Sequence, residues 1–100
     1  MDYIEWNYIQ AKRQAEKLEE QAARLGRLAS NQLEGTLQKL SGNWQGESAS
    51  AYMRKGGRMK EEVNRLAREL RRVAEVIRSS AERTYRAEMR ARELARKRIY

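Results

Sequence analysis

The chain has 100 residues, 36% of them charged, and contains no Pro, Cys, His or Phe. That length allows one domain, and without Cys or His it has neither a disulfide framework nor the usual zinc and haem ligands, so no cofactor or metal is expected. Lys and Arg outnumber Asp and Glu by 22 to 14, giving a net charge of +8, and no stretch approaches the ~20 apolar residues that span a bilayer.

The same absences argue against an enzyme. General-base and nucleophilic chemistry would fall on Asp, Glu, Lys or Tyr, and here those residues stand at helix-surface spacing beside Arg or Lys, the pattern of solvated ion pairs. No catalytic residue is assigned. The start, Met1-Asp2-Tyr3-Ile4-Glu5-Trp6, lacks the basic and apolar regions of a cleaved signal peptide.

In chain order, Asp2 and Glu5 are placed to cap a helix and complement its positive end. Ile4, Tyr8, Ala11, Ala15, Leu18, Ala22, Leu25 and Ala29 follow at alternating intervals of four and three, a heptad seam. After Ala29 the stripe steps to Leu33, Leu37 and Leu40, and this phase shift is a stutter that predicts local unwinding of the supercoil. The first helix is expected over about 2–40, with Gly26 absorbed inside it. Residues 41–47 then gather Ser, Gly, Asn and Gly around Trp44, and this composition predicts a turn. A second helix is expected over about 48–97. Its seam is Met59, Val63, Leu66, Leu70, Val73 and Ile77, passing into the smaller Ser80, Thr84, Ala87, Ala91 and Leu94. Gly56-Gly57 interrupts it early, which predicts a bend or a short break, read either as a tolerated weak point or as a place where another helix comes close.

Two arms joined by a short turn fold back as antiparallel neighbours. The expected fold is therefore all-α, an antiparallel two-helix hairpin. One buried stripe per helix is thin for a stable domain, so two hairpins are expected to pair into a four-helix bundle as a dimer, through the seam residues Leu18, Ala22, Leu25, Ala29, Leu33, Leu37, Leu40, Met59, Val63, Leu66, Leu70, Val73 and Ile77. Charge is uneven: residues 1–43 hold six basic and six acidic side chains, whereas residues 44–100 hold sixteen and eight. From arm lengths, residues 87–100 are expected to overhang as a basic tail.

Trp44-Gln45-Gly46 at mid-chain, followed by Ala51-Tyr52 seven and eight positions after the Trp, resembles the WXG motif of the small ESAT-like proteins of bacterial type VII secretion. The resemblance covers essentially the whole chain. It implies a non-catalytic helical hairpin that dimerises with itself or a related small helical protein and is exported without a cleaved signal, passing from the cytoplasm to the medium or cell surface through a secretion-system ATPase. Trp44, Gly46, Ala51 and Tyr52 would form the turn and docking motif. The family's second signal is a Tyr followed at the fourth position by an acid. Here Tyr85 is followed by Glu88 at the third, a departure that leaves room for a partner chain to supply the full signal. A close variant is a targeting factor that binds the helical N-terminal region of a larger secreted toxin. A different class, a basic nucleic-acid-binding helix, is suggested by net charge alone. Glu61, Glu62, Glu69 and Glu75 interleave with the arginines, and no recognition motif accompanies them, so no specific nucleic acid is expected as a partner.

Overall fold

The computed structural model describes residues 2–43 and 45–99. Helix α1 spans Tyr3–Arg27, a π-helical segment spans Leu28–Leu33, α2 spans Glu34–Asn43 and α3 spans Glu47–Ile99. The first three run on as one arm, α3 returns alongside it, and the all-α antiparallel hairpin is the fold. At about 1.5 Å per residue, the 53 residues of α3 account for the 82 Å length of a rod only 19 × 11 Å across.

Local chemistry explains where each helix starts. The Asp2 carboxylate accepts a hydrogen bond from the Ile4 N–H at 2.8 Å, satisfying one of the free donors at the start of α1. Gly46 has φ of +113°, a backbone conformation that L side chains rarely adopt, and its carbonyl accepts the Ser50 N–H at 3.0 Å to begin α3. The first arm persists through Ser41 to Asn43, and the Ser41 hydroxyl donates to the Gln38 carbonyl at 2.9 Å. A serine whose hydroxyl is satisfied one turn back need not end a helix.

The core between the arms is alanine. Ala15, Ala22 and Ala29, spaced by seven on the first arm, and Ala67 and Ala74, spaced by seven on α3, are buried, together with Ala49 near the turn. Val63, Leu70 and Ile77 are half-buried beside that line, as are Leu18 and Leu25 on the first arm. Met59, Leu66 and Val73 remain about half exposed at 54%, 50% and 48%. The second-arm stripe therefore divides lengthwise. One edge meets the first arm and the other faces away from it.

At the stutter, the Glu34 N–H bonds to the Ala29 carbonyl, five residues back, in a wide turn that takes in one extra residue. The phase shift is absorbed by this bulge within the helix. Its effect is visible eight positions after Ala29: Leu37 is half-buried, and Thr36, where an unbroken heptad would fall, is exposed. Leu37 then packs on Gly56, where a Cβ would stand 2.3 Å from Leu37 Cδ2. Of the two readings of Gly56-Gly57, the close approach is the one observed, and α3 passes through the pair without a break.

Among the described residues, ion pairs cross between the arms from Asp2 to Arg92 at 2.5 and 2.9 Å, from Glu19 to Arg78, and from Glu34 to Lys60 at 3.0 Å. Near the open end Tyr8 stacks on Tyr85 with ring centroids 4.7 Å apart, and Lys12 Nζ lies 5.3 Å from the Tyr8 centroid. Heptad-spaced alanines would pack equally well after a slip of seven residues. Such a slip would set Asp2 against Tyr85 or Ile99, and Glu34 against Met53 or Ala67, so the polar contacts single out one register. Because Asp2 reaches Arg92, the first arm covers more of the second than arm lengths suggested, and the uncovered tail is 93–99.

The two glycines separate in their response to substitution. A Cβ added at Gly57 would meet nothing within 4 Å, so Gly57→Ala should stabilise the hairpin by about 1 kcal/mol. Gly56→Ala should gain less, because Leu37 must turn away; equal gains in urea unfolding would contradict the close packing. The Asp2 contacts make a second prediction. Asp2 is held down to about 2 from 3.8, first by its hydrogen bonds from Arg92 and then by that from Ile4. A carboxyl with a lowered native pKa adds stability above its unfolded value and loses it as pH falls through the native one. Between pH 4 and about 2 the native chain should therefore lose an increment of stability that Asp2→Asn, which still caps the helix, does not lose.

Candidate partner-binding face

The two long sides of the hairpin differ. On one, Glu19, Ala23, Arg71, Glu75 and Arg78 line a polar cleft where the arms are tied by charge. On the other, two hollows are lined mainly by apolar side chains. One, of about 350 Å³ near the open end, lies among Ile4, Tyr8, Ala11, Val76, Ile77 and Tyr85. The second, of about 430 Å³ near the turn, lies among Leu28, Leu33, Leu37, Leu40, Tyr52 and Met59. Between the hollows run Leu66 and Val73, and Val76 is 57% exposed.

This one-sidedness has a simple cause. The alanine line lets the arms approach closely, so larger residues one step round α3 cannot reach the interface and stand beside it. The hairpin exposes 8082 Å², against about 5,900 Å² expected for a compact monomer of its mass. Large apolar side chains in a continuous row on one side of a slender rod are suited to another helical surface, through burial worth roughly 1.5–3 kcal/mol per side chain.

The residues expected to form a turn and docking motif are placed as follows. Gly46 opens α3 at positive φ, Ala51 is half-buried and Tyr52 is exposed in the first turns of that helix. Trp44 lies outside the described residues. Tyr85 and Glu88 are both half-buried and both line the open-end hollow, with Tyr85 held against Tyr8. Of the stripe on the first arm, Ala22 and Ala29 are buried, and Leu18, Leu25, Leu33, Leu37 and Leu40 are half-buried. Sequence reasoning passes over Ala67 and Ala74 as core because the larger neighbours Leu66 and Val73 outweigh them in any hydrophobicity count. Their spacing of seven, matching Ala15, Ala22 and Ala29, is the signal that would have found them.

Among the described residues no cluster of acidic side chains could hold a metal ion, and no helix is long and apolar enough to cross a membrane. The arrangement offers shape and apolar surface.

Comparison with curated proteins gave no match, and comparison with solved structures gave none. Residues 4–89 match the WXG100 family, described as proteins of 100 residues with WXG. That span includes both arms, the Trp44-Gln45-Gly46 corner and the Tyr85–Glu88 segment. The chain belongs to the WXG100 family, the ESAT-like small helical proteins associated with type VII secretion.

Proposed function

We propose that the protein is a non-catalytic substrate or co-substrate of a type VII secretion system, exported as a dimer of hairpins with the apolar side of each turned inward. The observation that carries this reading is the exposed row Met59, Leu66 and Val73 beside the hollows. A surface of this kind is costly to leave in water, and a second helical hairpin laid along it completes a four-helix bundle. In this reading the motif corner and the Tyr85–Glu88 segment are presented for recognition by the secretion ATPase, and the chain passes from the cytoplasm to the medium or cell surface.

A second reading, a targeting factor for a larger secreted effector, is favoured by one observation: the acid after Tyr85 stands at the third position, with Met89 at the fourth. Such a chain would lend its bundle to a cargo that carries the complete signal.

The reading is tested by export. The protein should appear in culture supernatant and be lost from it when the secretion ATPase is deleted; retention inside the cell with its neighbouring gene products present would contradict it. Leu66→Asp should abolish assembly and export while the isolated chain keeps its helicity, since Leu66 is exposed in the hairpin. Trp44→Ala should lower export more than it lowers the midpoint of thermal unfolding. A collapse of stability ahead of export would make the corner chiefly structural.

A further inference from the structure

A second face of the rod carries charge that the hairpin leaves unused. Arg58, Arg65, Arg72 and Arg86 are exposed on α3 in one row of seven-residue spacing, with Ser79 in its gap. Ala67 and Ala74 keep the same period against the first arm, so the row holds a constant direction along the rod, at about 10.5 Å per step. Arg65 and Arg72 each stand two residues before one of those alanines, which puts the row on the far side of the helix from the first arm. Arg58, Arg65 and Arg72 also each directly precede an exposed apolar residue, Met59, Leu66 or Val73, about 100° round the helix. A partner laid on the apolar side therefore leaves the arginine row uncovered. Among the described residues, Arg54, Arg58, Arg65, Arg68 and Arg72 make no ion pair within the chain.

The residue type narrows the ligand. Between Lys60 and Lys97 every basic residue is an arginine, and the planar guanidinium fits a carboxylate or a phosphate through two parallel hydrogen bonds. The neighbouring row separates those two chemistries. Three residues on from the arginines stand Glu61, Arg68, Glu75 and Glu82, exposed and of mixed sign. A phosphate polymer, negative at every unit, meets repulsion at the glutamates. A protein surface can set acids against the arginine row and basic side chains against Glu61 and Glu75. An extended acidic segment repeats on one side about every 6.8 Å and falls out of step with the row, whereas a helix with acids seven residues apart keeps the same step. Near the turn, Arg58, Glu61, Glu62, Arg65 and Arg68 line an open hollow of about 370 Å³ that has room for a side chain.

From this juxtaposition we infer that the arginine face of α3 docks a helix of another protein, one that carries carboxylates in a row of seven-residue spacing. Arg58, Arg65 and Arg72 each take one carboxylate, and Arg68 and Arg54 flank them. Because this face is separate from the apolar side, it serves a lone hairpin and a completed bundle alike, and it gives the protein a second partner that differs in chemistry from the first.

The test uses the full chain and three fluorescent probes of equal net charge. One is a synthetic helix of five heptads with glutamate at one fixed position of each and neutral side chains elsewhere. The second is an isomer with the same glutamates scattered round the helix, and the third is an oligothymidylate. In anisotropy titrations at low salt the first should bind about tenfold more tightly than either of the others. Reversing the row with Arg58→Glu, Arg65→Glu and Arg72→Glu should abolish that preference. Lys55→Glu, Arg83→Glu and Arg90→Glu, an equal change of charge on a neighbouring exposed row, should keep it, with circular dichroism verifying the helicity of both variants. Equal binding of the two peptides by the wild-type chain would overturn the docking of a carboxylate row, and tighter binding of the oligothymidylate would make the face a phosphate site instead. A preference that survives reversal of the row, or is lost equally in the control variant, would overturn the assignment to these arginines. None of these readouts depends on export, so the docking face and the secretion role fail separately.

Discussion

The close approach of the two arms along their alanines governs the rest of the molecule. Ala15, Ala22, Ala29, Ala67 and Ala74 fill the line of contact, and side chains this small bury little apolar area each while bringing the helix backbones together. Two consequences follow. The larger residues one step round each helix stay outside the hairpin, and the hairpin alone has a core too thin to resemble a compact domain. Its Cα radius of gyration of 22.7 Å compares with about 13 Å for a compact chain of 100 residues.

An alanine seam packs closely but specifies register poorly, since a seven-residue slip restores the same contacts. Specificity comes instead from features that do not repeat. The Leu37 knob over Gly56, the stacked Tyr8 and Tyr85, and the ion pairs made by Asp2 and Glu34 all fail in a slipped hairpin. Each exposed pair contributes little alone; together they act on one rigid displacement. The π-helical segment serves the same end. By inserting one residue after Ala29 it brings Leu37, and not Thr36, onto the seam just where a glycine leaves room for it.

Much of this was legible in the residues. The helix type, the corner and the antiparallel return followed from heptad spacing and from the Gly- and Ser-rich break between two periodic segments. The family was legible in Trp44, Gly46, Ala51 and Tyr52 once they were set between two such arms. The phase of the second-arm stripe was only half legible. Val63, Leu70 and Ile77 belong to both possible faces, and a count by hydrophobicity selects Met59, Leu66 and Val73 as their companions, whereas packing distance selects Ala67 and Ala74. The stutter was visible as a spacing, but its resolution as a wide turn depends on backbone hydrogen bonding that spacing does not encode. The Tyr85 contact is likewise tertiary: nothing local to Tyr85 announces Tyr8.

One side of the rod tied by charge and the other left apolar is the arrangement that links this fold to the proposed assembly, and membership of the WXG100 family gives that proposal its setting. The most direct measurement of that link is oxidative side-chain footprinting over a range of protein concentrations, comparing Met59, on the apolar side, with Trp6 on the first turns of α1. Protection of Met59 that grows with concentration while Trp6 stays reactive is the result predicted by a bundle closed over the apolar side. Labelling of Met59 that does not change between dilute and concentrated protein would contradict it.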